Sequence, residues 1–141
     1  MEKAEKSVDI SQFFTTSNEK EGCWIEPKVN GIGIGIEFKV LGLSSDDVMI
    51  AADKYDKETE KIEKEADRVK KIKLGNDARV RRIASCVVDI RGKDGITPVI
   101  KGKPLTYSKE VVEEILMESP DIRDEILSAS VNSANFMTKK D

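Results

Sequence analysis

Two extended runs meet at Asn30-Gly31, and this dipeptide constrains the fold more than any other feature of the chain. "CWIEPKV" runs up to it and "IGIGIEFKVL" follows it. A type I′ turn needs positive φ at both central residues, which asparagine and glycine tolerate, so the pair predicts a β-hairpin over 22–42. In the second run Ile32, Ile34, Ile36, Phe38 and Val40 fall on one face, and Gly33, Gly35, Glu37 and Lys39 on the other. Such alternation marks a strand buried on one side. The hairpin therefore needs something apolar to pack against, and the rest of the chain supplies helices.

Ser44 or Ser45 can cap a helix whose first turn holds Asp46 and Asp47, the favourable sign for that end of the dipole. Val48, Ala52, Tyr55, Thr59, Ile62, Ala66 and Val69 then recur at spacings of four and three, a narrow stripe suited to partner contact. Asp53 and Lys57, Glu60 and Lys64, and Asp67 and Lys71 are acid-before-base pairs four apart. One charged helix over 45–74 is expected, about 40 Å long at ~1.5 Å per residue. Gly75 reads as its C-cap. A second helix is expected over 77–91, with Val80, Ile83, Ala84, Val87 and Ile90 on a broad apolar face. Gly95, Pro98, Gly102 and Pro104 then make an ordered loop around a short strand pair. Ser108 and Ser119-Pro120 start two closing helices, 108–118 and 120–137, the second facing inward through Ile122, Ile126, Ala129 and Phe136. The expected fold class is α+β and mainly helical, an N-terminal hairpin packed on about four helices of which the first is long and charged. Residues 1–21 are expected to form a flexible arm that docks by Ile10, Phe13 and Phe14, and 22–141 a single domain.

Composition narrows function by exclusion. Histidine is absent, which removes Ser-His-Asp and Cys-His catalysis and most zinc sites. Cys23 and Cys86 have no CxxC spacing and read as reduced, buried thiols. The net charge of −3 does not draw the whole chain to nucleic acid or anionic lipid. No apolar run approaches the ~18 residues of a membrane span, and "MEKAEKSVDISQFF" lacks a signal-peptide core, so a cytoplasmic protein is expected.

Phosphate-binding motifs fail on spacing. A dinucleotide fingerprint needs GxGxxG between a strand and a helix, whereas Gly31, Gly33 and Gly35 have GxGxG spacing inside a continuing strand pattern. A Walker loop ending at Gly102-Lys103 would need glycine at Thr97 and a hydroxyl at Pro104. Neither catalytic residues nor a cofactor or metal site is expected. Glycine at positions 33 and 35 instead leaves a bare strand face where another chain can lie close. Trp24 is either core or an interface anchor. Lys70, Lys71, Lys73, Arg79, Arg81 and Arg82 cluster near Gly75 as solvated helix ends or as a contact for an acidic protein surface.

"VVDIRGKDGITPVIKGKPLTYSKEVVEEILMESPDIRDEILSASVNSANF" resembles the tail assembly chaperones of long-tailed bacteriophages. The likeness rests on the "GKPLTYS" element, Gly102 to Ser108, then a short helix, a proline, and a last helix ending in Asn135-Phe136. It extends loosely to a tryptophan-bearing strand and a partner strand ending in "VLGL". The resemblance implies a protein that binds the tape measure protein and keeps it soluble during tail assembly. It leaves the major tail tube protein and a second copy of the chain open as further partners. It implies action in the cytoplasm of the infected or lysogenic host and absence from the mature virion. Trp24, Gly33, Gly35, Val48, Tyr55, Ile62 and Val69 are the expected partner-binding residues. The alternative is a structural protein that stays in the virion, a head-tail adaptor or tail-completion subunit.

Overall fold

The computed structural model describes residues 6–138, so the first part of the expected arm, 1–5, lies outside the described residues. The hairpin forms where the sequence places it, with β1 (Cys23–Ile25), β2 (Lys28–Val29), β3 (Ile32–Gly33) and β4 (Ile36–Val40). Asn30 and Gly31 adopt φ of 53° and 77°, as the tight turn requires. The ladder is interrupted between base and tip. There Pro27 has no N–H to give, and its carbonyl accepts from the Ile34 amide at 3.2 Å.

A third strand completes the main sheet. β5 (Val87–Gly92) pairs antiparallel with β4, giving the order β1-β4-β5. Phe38 lies opposite both Ile25 and Ile90 on the inner face, while Glu37 lies opposite Arg91 and Lys39 opposite Asp89 on the outer face. This corrects the helix expected over 77–91. Val87 and Ile90 fit a helical repeat in sequence, but the run is β-branched and β4 needs a partner along its second edge, so strand pairing wins.

The long helix of 45–74 is also corrected. The chain forms α2 (Asp46–Ile62), turns at 63–67, and returns as α3 (Arg68–Ala84), packed on α2. No glycine or proline marks the break. Instead Asp67 caps α3, accepting from the Val69 and Lys70 amides at 3.0 and 3.2 Å, and the return brings Val80, Ile83 and Ala84 into the core. Gly75 therefore sits inside α3 and caps nothing.

Past β5, β6 (Val99–Ile100) and β7 (Lys103–Pro104) make a two-residue hairpin around Lys101 and Gly102, both at positive φ. α4 (Lys109–Glu118) and α5 (Pro120–Val131) begin at the expected serines: Ser108 accepts from the Val111 amide at 3.1 Å and Ser119 from the Ile122 amide at 3.2 Å. The last helix ends earlier than 137, and a 3₁₀ turn at Ser133–Phe136 tucks Phe136 into the interior. The fold is thus α+β and mainly helical. Its core gathers Phe38 and Val40 of β4, Val80 and Ile83 of α3, Val112 and Leu116 of α4, and Ile126 of α5.

The segment before the hairpin is only partly the arm expected. After a 3₁₀ turn at Ile10–Phe13, α1 (Thr16–Glu21) docks through polar groups. Glu19 is buried, its carboxylate accepting from the Thr15 and Ser44 hydroxyls at 2.9 Å each. Asn18 donates to the Phe136 carbonyl at 2.7 Å. Ile10, Phe13 and Phe14, the expected anchors, stay exposed at 70%, 52% and 64%.

Candidate partner-binding surfaces

The glycine run holds an anion after all, but the anion is the chain's own. A Cβ on Gly33 would fall 2.5 Å from Glu26 Oε1, so glycine is what lets that carboxylate cross the strand. Gly35, at φ 78°, donates its amide to Glu26 Oε2 at 2.9 Å, and Lys93 Nζ reaches Oε1 at 3.0 Å. The Lys93 hydrogen bond, and after it the Gly35 amide, hold the Glu26 carboxyl below its ordinary pKa. The Lys93 ammonium is raised in turn by the same contact. The face of Gly33 is therefore occupied by Glu26. Its geometry is that of a latch tying the hairpin to the segment after β5.

Trp24 lies on the outer sheet face, opposite Lys39 and half-buried. The Arg91 guanidinium stands 3.9 Å from its ring centroid, and Arg91 Nε also donates to Glu37 Oε1 at 2.8 Å. A cation over an indole contributes on the order of 0.5–1 kcal/mol at such a site. Arginine stacking thus covers one side of the tryptophan.

The stripe on α2 divides. Val48 is buried in the core, while Tyr55, Thr59 and Ile62 are half-buried along the α2–α3 contact. Ala66 falls in the turn. Val69 belongs to α3 and is 61% exposed, so it does not continue the line. Of the charge pairs expected, Asp53 and Lys57 meet at 3.0 Å. Lys71 instead reaches Glu63 at 3.0 Å, because Asp67 serves as a cap.

Where α2, α3, β5 and the start of α4 converge they leave a cleft of about 630 Å³. Ile50, Tyr55, Val88 and Tyr107 give it apolar and aromatic walls, with Lys54, Glu58, Arg81, Arg82 and Glu113 among its charged lining. Arg82 lies 5.0 Å from the Tyr55 ring centroid, and Arg81 pairs with Glu58 at 2.6 Å. Tyr107 donates to the Val87 carbonyl at 3.1 Å. Burial, then the charges of Asp89 and Glu110, raise its phenol pKa, so the ring stays neutral at pH 7. Cys86, nearby but buried, is raised by desolvation and is a poor nucleophile. Of the partner-binding residues expected from sequence only Tyr55 reaches the cleft, where Arg81 and Arg82 of the basic cluster near Gly75 join it. Trp24, Gly33 and Gly35 lie on the sheet and hairpin, and Ile62 and Val69 lie toward the far end of the helix pair. Ile50 and Tyr107 were missed, since neither helix nor loop periodicity shows that β5 would bring their elements together.

A family model described as YdaY prophage protein matches residues 44–141. The chain belongs to the YdaY prophage protein family. It is thus a phage-derived protein. The YdaY match covers α2 to α5 and β5 to β7, and every residue lining the cleft falls within it, whereas β1 to β4 precede it. No curated protein and no solved structure matches the chain. Among the described residues no helix is long and apolar enough to cross a membrane.

Proposed function

We propose that this YdaY family member is a tail assembly chaperone, and that its cleft receives an apolar helical segment of the tape measure protein. The observation that carries this reading is the cleft itself: an apolar and aromatic trough with a charged rim, lying wholly within the family-matched part of the chain. Its volume suits a few side chains from one face of a helix, the arrangement by which amphipathic helices dock in grooves. Ile50, 67% exposed at the mouth, and the half-buried Tyr55 offer apolar contact, and Arg81 and Arg82 fix the rim through their own partners. Shielding a client by reversible contact requires no reaction, cofactor or metal. In this reading the chain works in the host cytoplasm and leaves before the virion matures.

Co-expression with the tape measure protein of the same prophage tests it. The wild-type chain should raise the soluble fraction of the client and co-purify with it, and Ile50→Asp combined with Tyr55→Ala should abolish both while the variant keeps a wild-type melting profile. An equally soluble, equally bound client with that folded variant refutes the cleft. Finding the chain in purified particles by mass spectrometry would instead favour a structural subunit.

A further inference from the structure

We infer that Asn30, at the tip of the hairpin, is a modification site where the chain's own backbone displaces the side-chain amide and leaves aspartate or isoaspartate. An Asn-Gly pair carries this chemistry because the nitrogen of the second residue can reach the side-chain carbonyl of the first, and glycine puts no Cβ in the way. Sequence names the pair, and the structure leaves it unrestrained. Asn30 is exposed, and among the described residues its side chain makes no hydrogen bond. The Gly31 amide makes none either, the last strand pair of the tip being Val29 with Ile32. Nothing lies within 4 Å of where a Cβ on Gly31 would stand.

The other asparagines are held. Asn18 donates to the Phe136 carbonyl, Asn135 donates to the Ala129 carbonyl, and Asn132 accepts from the Ala134 amide. Asn76 lies inside α3, where the amide that would attack belongs to the helix. Each would have to give up a bond before it could react.

The step needs only water. The Gly31 nitrogen gives its proton to hydroxide and attacks Asn30 Cγ, closing a cyclic imide. The Cγ–Nδ2 bond breaks, and Nδ2 takes a proton from water and leaves as ammonia. Water then opens the ring at either carbonyl, giving aspartate in the ordinary main chain or isoaspartate, in which the main chain runs through Cγ. Ring closure twists the Asn30–Gly31 peptide out of its turn, and the tip is weakly held against this. β2 and β3 share only the pairs Lys28 with Gly33 and Val29 with Ile32, and Pro27 interrupts the ladder behind them.

The two products act differently on the fold. Aspartate before glycine makes the same tight turn. Isoaspartate adds a backbone atom to that turn, so Val29 and Ile32 no longer meet in register. Losing the tip displaces Gly33, over which Glu26 crosses to the Gly35 amide and Lys93, and so releases the latch between the hairpin and the segment after β5. The main sheet stays, because β1, β4 and β5 pair on the other side of the break.

Ageing the purified full chain at mildly alkaline pH tests the inference, with peptide mapping by mass spectrometry and an isoaspartyl methyltransferase assay to report the altered bond. Asn30 should lose its amide about tenfold faster or more than any other asparagine, since no hydrogen bond has to break first. In aged protein the Gly35 and Lys93 amides should lose protection from hydrogen exchange, while those of Phe38 and Val40 keep it. Asn30→Gly retains a turn-forming pair without the side-chain amide and should show neither change on ageing, and fresh Asn30→Asp should match fresh wild type. An Asn30 that reacts no faster than the other asparagines overturns the site. Isoaspartate that accumulates while exchange at Gly35 and Lys93 is unchanged overturns the release of the latch.

Discussion

Replacing Gly75 with alanine gives opposite results for the two ways of placing the helices. In the structure α3 runs unbroken from Arg68 to Ala84, Gly75 is inside it, and a Cβ built there meets nothing within 4 Å. Alanine would then add helix propensity without a packing cost, a gain of about 0.8–1 kcal/mol. For a chain of this size that raises the melting temperature by roughly 2–4 °C. Had Gly75 ended a helix at positive φ, alanine would instead cost roughly 1–2 kcal/mol. Thermal unfolding followed by circular dichroism, with urea titration to give the free energy, reads the sign directly. Asp67→Ala is the companion change: it removes the side chain that accepts from the Val69 and Lys70 amides, and should cost about 0.5–2 kcal/mol. A destabilised Gly75→Ala beside a neutral Asp67→Ala would refute the break at 63–67 and return the long first helix.

Ile126 is fully buried in α5, so Ile126→Ala should destabilise by about 2–5 kcal/mol in urea unfolding, while the exposed Ile72→Ala should stay within about 0.5 kcal/mol. The Glu26 latch predicts a pH effect: because Lys93 and then the Gly35 amide depress the carboxyl in the folded state, its stabilisation is present above the ordinary carboxylate pKa and is lost as pH falls through the lower folded value. Glu26→Gln should therefore flatten part of the acid limb of the melting temperature against pH, and superimposable wild-type and variant acid limbs would show that the latch contributes nothing.

Local chemistry was legible in this sequence, and long-range partnership was not. Asn30-Gly31, Ser108 and Ser119-Pro120 each act within a few residues, and each sits where the sequence places it. The apolar face of 120–137 was legible for the same reason, with Ile126, Ala129 and Phe136 all buried. By contrast, Val80, Ile83, Val87 and Ile90 satisfy a helical repeat and also supply the residues of a helix end followed by a strand. What separates the readings is the open edge of β4, some fifty residues earlier in the chain. Asp67 was equally ambiguous, a salt-bridge partner by spacing and a cap in fact.

The candidate sites follow the same division. Tyr55 could be found from periodicity because it lies on a helix face, but the cleft around it exists only once α3 has folded back and β5 has paired, which brings in Ile50, Arg82 and Tyr107. The YdaY match begins at Ser44, yet β5 lies inside it and takes its ladder from β4, which lies outside. The hairpin therefore fixes the strand that carries Val88 into the cleft wall, and Glu26 ties the hairpin to Lys93 just beyond that strand. Gly33 and Gly35 enter at this point: they let Glu26 lie across the strand and bind its carboxylate, so their effect on the cleft passes through the position of β5 and requires no contact between the glycines and a partner.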